Sequence, residues 1–208
     1  MSAASLVFFD FDGTLTTRDS LPCFALHSLG KLRTLIGALK ALPWILMWKL
    51  GAVSNSVAKE RLFSFLFRGM AGPGFAACCE SFAPEIEKMV RPELVARMAR
   101  HIAAGDEVYI VSASIGDWIV PWAEKNGVDK SHVIATGAAV ENGILTGRFS
   151  TPNCHGPEKV RRIQAALGDI GVRSVVAYGD SGGDLPMLAL ADRAFMIKRK
   201  RPVELLKQ

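Results

Sequence analysis

The sequence is poor in cysteine, with four in 208 residues. Cys23, Cys78, Cys79 and Cys154 form no C-x-x-C pair and no metal-site spacing, which argues against a zinc site or a disulfide framework. The adjacent Cys78 and Cys79 suit small buried apolar residues, and the expected compartment is reducing, that is, cytoplasmic. Met1 to Leu6 lacks a basic stretch followed by a long apolar run, so no secretory leader is read. Internal repeats and low-complexity tracts are also missing. Charged residues make up 22% against 50% hydrophobic, a balance that excludes disorder and supplies a packed core. The net charge of +5 owes much to Lys198-Arg199-Lys200-Arg201 and Lys207. No aromatic-interleaved basic face or nucleic-acid motif accompanies that run. It reads as solvated surface that favours encounter with anionic substrates, and no nucleic-acid partner is expected.

What is present is a chain that changes texture. Leu6-Val7-Phe8-Phe9 is a short apolar run ending in Asp10 and reads as a buried strand. From about Asp19 to Pro92 the pattern is helical with almost no strand signal. The chain then alternates: helix over 92–104, strand 107–111, helix 117–126 closed by Gly127, and strand 133–136. A hairpin over 138–149 turns at Asn142-Gly143. Helix 157–167, strand 174–178, helix 185–191 and strand 194–197 follow. Alternating strands and helices imply an α/β fold, a Rossmann-like, mostly parallel sheet with helices on both faces. The all-helical stretch implies an inserted cap over residues 19–91, with 1–18 and 92–208 forming the core. In such sheets ligands sit beyond the carboxyl ends of the strands, where the polar residues of this chain fall.

Four clusters carry the chemistry. Asp10-Phe11-Asp12-Gly13-Thr14-Leu15-Thr16 places two carboxylates just past a strand, where Gly13 allows a turn; an ordinary Asp-Gly turn is the plain alternative. Ser112-Ala113-Ser114 follows the second strand and offers a hydroxyl and backbone N–H groups to an anion, with Ser114 read as the cap of the next helix. Lys159 stands at a helix start, where the helix dipole does not favour a cation. Gly179-Asp180-Ser181-Gly182-Gly183-Asp184 follows a strand and offers oxygen ligands to a hard cation such as Mg²⁺.

In this order, over essentially the whole chain, the clusters resemble the haloacid dehalogenase (HAD) superfamily, and most closely its phosphoserine phosphatase-like branch, subfamily IB. The resemblance implies a phosphatase in which Asp10 attacks phosphorus and becomes phosphorylated. Mg²⁺ would be held by the Asp10 carboxylate, the Asp12 backbone carbonyl and Asp180, with Asp184 supporting that shell or binding directly. Asp12 would protonate the leaving oxygen and then activate water. Ser112 and the Ala113 N–H would bind the phosphoryl oxygens, and Lys159 would neutralise charge. The second aspartate separates phosphatases from dehalogenases, because a halide leaves without a proton.

The substrate is less legible. A small phosphorylated metabolite is the first expectation. A non-enzymatic phosphoacceptor and transfer to another alcohol are the rival readings. Asp19 lies where phosphoserine phosphatases carry an acidic residue that reads the substrate amine; it is also placed to cap the first cap helix. Arg61 and Arg68, on the expected third cap helix, are candidates for a substrate carboxylate or second phosphate. Cys154 and His155, just before the Lys159 helix, are left without a role. Residues 32–53 are unusually apolar. A spanning helix needs about 20 apolar residues, and a central lysine costs roughly 2.5–3.5 kcal/mol, so Lys40, Pro43 and Lys49 argue against one. Two readings remain. One is a cap-core helix kinked at Pro43, which is the expectation. The other is peripheral membrane contact through a face bearing Trp44 and Trp48, with a phosphatidylglycerophosphate-type lipid phosphate as substrate.

Overall fold

The computed structural model describes residues 4–171, 173–198 and 201–205. Arg199, Lys200 and Lys207 of the basic run, and Met1 to Ala3, lie outside the described residues. Six strands form one sheet in the order β3-β2-β1-β6-β7-β8. These are β1 (Leu6–Phe9), β2 (Glu107–Ile115), β3 (Val133–Thr136), β6 (Val175–Gly179), β7 (Arg193–Lys198) and β8 (Arg201–Leu205). All neighbours pair in parallel except β7 and β8. The antiparallel β8 is absent from the sequence expectation. It contains Pro202, which an edge strand tolerates because no further strand needs its N–H.

Side chains alternate across β1, and both faces are covered. Val7 and Phe9 join a cluster with Phe24, Phe63, Phe67, Phe75, Trp118 and Trp122, whereas Leu6 and Phe8 pack with Ile163, Met187 and Leu188. The second face is closed by α6 (Pro157–Leu167) and α7 (Leu185–Leu190). On the first face lie α4 (Pro92–Ala103) and α5 (Gly116–Lys125), together with the helices between β1 and α4: α1 (Ser20–Lys49), α2 (Asn55–Phe67) and α3 (Gly72–Glu87). The hairpin of β4 (Ala138–Glu141) and β5 (Ile144–Phe149) turns through Asn142 and Gly143, both at positive φ. It bonds to the α2–α3 connection through Gly69 N–H to Leu145 O (2.9 Å) and Gly72 N–H to Gly143 O (2.7 Å). Every cysteine is free, and Cys79 is buried, in keeping with an apolar role.

The 32–53 expectation needs correction. The backbone break in α1 is at Gly30 (φ 75°, ψ 172°), a region open essentially to glycine alone, and Pro43 stays inside a continuous helix. Beyond Gly30 the helix is not cap core. Only Gly37 and Ala41 of its residues are buried, while Leu32, Leu35, Ile36, Leu39, Leu42, Leu46 and Leu50 are exposed. No helix among the described residues is long and apolar enough to cross a membrane.

Candidate active site

The sheet order brings the site together. β1 lies between β2 and β6, with Phe9 opposite both Ile110 and Tyr178, so the polar residues after β1 and β6 emerge beside Ser112; β2 runs on to Ile115 instead of ending at the expected residue 111, and Ser112 lies within it, still paired to β3. Neighbouring strands are about 4.8 Å apart. Asp10, Ser112 and Asp180 therefore converge on one cavity of about 450 Å³, at the point where the strand order switches direction.

Asp10 is buried, and its carboxylate receives Lys159 Nζ at Oδ1 (2.6 Å) and Thr14 Oγ1 at Oδ2 (3.0 Å). Lys159, in the first turn of α6, also donates to Asp184 Oδ1 (2.6 Å) and to the Val111 carbonyl (2.7 Å). All three ammonium protons are thus used. Burial works against the charge on Lys159, but Asp10 and Asp184 outweigh it and hold the ammonium above its ordinary range. The other oxygen of Asp184 accepts from the backbone N–H groups of Asp180 (3.1 Å) and Ser181 (3.0 Å) and from Ser181 Oγ (3.0 Å). Burial would raise Asp184, yet Lys159 and these donors keep it below the usual carboxylate value.

Asp180 carries no such partner. Burial, followed by the neighbouring charges of Asp10 and Asp184, pushes it up to about 7. Burial likewise lifts Asp10 to about 6 in spite of Lys159. One oxygen from each of Asp10, Asp180 and Asp184 lies within 4.8 Å of the others. Three carboxylates facing one ammonium form an all-oxygen, under-neutralised set, which fits a hard divalent cation. Two glycines make room for it. Gly13 (φ 81°) lies so close to the Asp180 carboxylate that a Cβ would collide with it, and a Cβ on Gly179 would meet Asp184 at 2.5 Å.

Asp12 is turned away from this cluster towards α1. Its Oδ1 accepts from Ser20 N–H (2.9 Å) and its Oδ2 from Ser20 Oγ (3.1 Å). Burial, then the charge of Asp19, raises it to about 7. Ser20 Oγ also meets Ser114 Oγ (2.8 Å) and accepts from Trp118 Nε1 (3.1 Å). Ser114 is therefore part of the Asp12 support and not a helix cap; the cap position of α5 is Ile115. Ser112 Oγ accepts from Ser114 N–H (3.0 Å), and Ser112 and Ala113 both line the cavity.

Asp19 caps α1 by accepting from Leu21 N–H (3.1 Å) and also faces the cavity. Arg61 and Arg68 do not reach it. They line a separate space of about 400 Å³ against β5, and Arg61 stacks on Trp44 at 4.7 Å. His155 lines the catalytic cavity, whereas Cys154 is buried in the opposite core, where its thiol bonds the Ile134 carbonyl. Sequence reasoning missed Ser20, buried behind Asp12, and the cavity-lining Ile45, Trp48, Asn55 and Lys59. Only the fold brings the last four, scattered over α1 and α2, to the cavity.

A family model described as haloacid dehalogenase-like hydrolase matches residues 7–189. Protein CicA of Caulobacter vibrioides is 33% identical over 202 residues, covering 95% of this chain and 88% of its own. A phosphoserine phosphatase of Albidiferax ferrireducens is 32% identical over 109 residues, 49% of this chain and 44% of its own. Among solved structures, a Bordetella pertussis Tohama I protein of unknown function superposes with TM-score 0.77 at 26% identity, covering 93% of this chain and 89% of that one. A substrate-bound phosphoserine phosphatase shares the fold at TM-score 0.67 and 16% identity, with 94% and 87% covered. With Asp10, Lys159, Asp180 and Asp184 inside one matched region, the chain belongs to the haloacid dehalogenase-like hydrolase family.

Proposed function

We propose that this enzyme is a Mg²⁺-dependent phosphomonoester phosphohydrolase working through a phosphorylated Asp10, with residues 1–18 and 92–208 as its catalytic core and 19–91 as a cap over the site. The observation that carries this reading is the pair of aspartates two residues apart in unlike settings, Asp10 buried and Asp12 half-buried. Asp10 is ion-paired to Lys159 beside Asp180 and Asp184, and Asp12 is held by Ser20 with its acidity shifted to about 7. Relatives named phosphoserine phosphatase support the reaction class.

An Asp10 oxygen attacks phosphorus as the bond from phosphorus to the ester oxygen breaks. Asp12 transfers its proton to that departing oxygen, so the alcohol leaves neutral. The Asp12 carboxylate then takes a proton from water, whose oxygen attacks phosphorus and releases Asp10 and inorganic phosphate. A group that titrates near 7 serves both steps. Ser112 Oγ and the Ala113 N–H, both at the cavity, would hold the non-bridging oxygens. Lys159 keeps Asp10 ionised and in place. Asp10 and Asp180 would hold Mg²⁺ with the Asp12 carbonyl, and Asp184 would steady that set; the bound ion supplies positive charge against the phosphoryl oxygens.

The first substrate class is a small phosphorylated metabolite. A second, a lipid phosphate, is favoured by one observation: the outer cavity wall is apolar, built from Leu21, Ile45, Trp48 and Leu62, with Lys59 and Asp19 as its charges. Phosphate release from a panel of soluble phosphomonoesters and dispersed phosphatidylglycerophosphate, with Mg²⁺ or with EDTA, tests both. Magnesium-dependent release that disappears in Asp10→Asn is expected. Full turnover in Asp10→Asn would overturn the mechanism, and the best ester identifies the class.

A further inference from the structure

We infer that the second half of α1 docks on an anionic lipid surface, lying in the plane of the membrane. From Leu32 to Lys49 the helix is continuous, with Leu50 as its cap, and at 3.6 residues per turn Leu32, Leu35, Ile36, Leu39, Leu42, Leu46 and Leu50 fall on one stripe roughly 120° wide. Those side chains are 72, 56, 44, 59, 46, 51 and 83% exposed. They point away from the rest of the protein, because the opposite side of the helix makes the contacts. There Gly37 approaches Leu66, Ala41 is buried, Trp44 carries Arg61, and Ile45 and Trp48 line the catalytic cavity. The lipid-facing side is thus the leucine side and not the tryptophan side. Contiguous exposed apolar surface beyond a few hundred Å² marks an interaction surface.

Charge identifies the occupant. Lys31 and Lys49 flank the stripe on one edge, Arg33 and Lys40 on the other, and all four are exposed. Between Asp19 and Glu60 the chain has no acidic residue. An apolar stripe edged on both sides by cations is the arrangement of a helix lying at a lipid interface, with each cation drawn to anionic headgroups. A second copy of the chain would bring four like charges against these four, which disfavours self-association through this face. The helix is also unable to cross a bilayer. Docking would set the cavity wall of Ile45 and Trp48 about one helix diameter, roughly 10 Å, from the lipid surface.

Co-sedimentation of the full chain with phosphatidylcholine vesicles, and with vesicles containing about one third phosphatidylglycerol, tests the inference without requiring turnover. Binding to the anionic vesicles is expected, weakening as salt is raised. Leu39→Glu with Leu46→Glu should reduce it at least about ten-fold, and Lys40→Gln about five-fold. These positions are exposed and outside the cavity, so thermal unfolding of the variants should match the parent. Absence of binding to anionic vesicles at low salt would overturn the inference, as would undiminished binding by the double variant. A solution dimer dissociated by the double variant, with no vesicle binding, would assign the face to a second copy instead.

Discussion

Lys159 holds two carboxylates and the Val111 carbonyl of β2 with one ammonium, 149 residues along the chain from Asp10. A buried charge deprived of its partner is costly, so Lys159→Met should destabilise the metal-free protein by about 3–5 kcal/mol, read by urea unfolding at neutral pH. Activity should be lost together with stability, because Asp10 would then be easier to protonate. Asp12→Asn removes only the proposed proton donor and should lower turnover by about 10²–10⁴ while leaving folding intact. The pH dependence follows with its sign. The useful form of Asp12 in the first step is the acid, so turnover of an ester with a poor leaving group should decline as pH rises above about 7. An ester with a good leaving group, such as p-nitrophenyl phosphate, should decline less, and equal slopes would remove Asp12 from the acid role. At this scale the sequence is informative where a motif is local: Asp10, Asp12, Asp180 and Asp184 all sit just past strands. It is silent on Ser20, whose importance comes from contacts with Asp12 and with Ser114, 94 residues away.

Among the elements, α1 shows which backbone rule prevails. A proline inside a helix suggests a kink, yet the helix runs on through Pro43, which lies on the exposed side, away from the helix's packing contacts. The turn falls instead at Gly30, whose φ and ψ no side chain accepts comfortably. Nothing lies within 4 Å of a Cβ built there, so the cost of Gly30→Ala is conformational alone, about 1–3 kcal/mol in urea unfolding. A stabilised Gly30→Ala protein would mean that the helix runs straight. Most strand and helix positions were readable because apolar period and punctuation agree, as at Pro157 and Gly127. The exceptions have physical causes. β8 lies beside a basic run that looked like solvent-facing tail, and the apolar residues 32–50 resemble a core helix because composition does not record which way a face points.

The whole molecule carries an electrostatic load that its fold alone does not relieve. Asp10, Asp12 and Asp180 are raised to about 6, 7 and 7 from 3.8, so between about pH 4 and 7 the folded protein holds protons that the unfolded chain has released. Their contribution to stability is complete below about pH 4 and is lost as pH climbs through those values. Asp184, lowered by Lys159 and its backbone donors, has the opposite sign and offsets part of the trend. Metal-free protein should therefore melt at a lower temperature near pH 8 than near pH 5. Added Mg²⁺ should restore more stability at the higher pH, where the carboxylates are ionised and free to bind it. A melting temperature that ignores Mg²⁺ at both pH values would remove the acidic cluster from metal binding.

The helices between β1 and α4 are tethered at several points. The chain leaves and returns side by side, with Thr17 N–H on Met89 O and Arg91 N–H on Leu15 O, both at 2.7 Å. The β4–β5 hairpin adds an anchorage through Gly69, Gly72 and the Glu60 carboxylate on Phe149 N–H, and Asn153 and Trp122 add others by donating to Asn55 and Glu87. Two adjacent crossings alone define a hinge line; anchorages away from that line brace it. In the proposed reaction, substrate would then enter and phosphate leave by side-chain movements around Trp48 and Lys59, which line the cavity, while the helical layer keeps its seat. Turnover in such an enzyme should be nearly indifferent to solvent viscosity, because no large body has to be pushed through the solvent in each cycle.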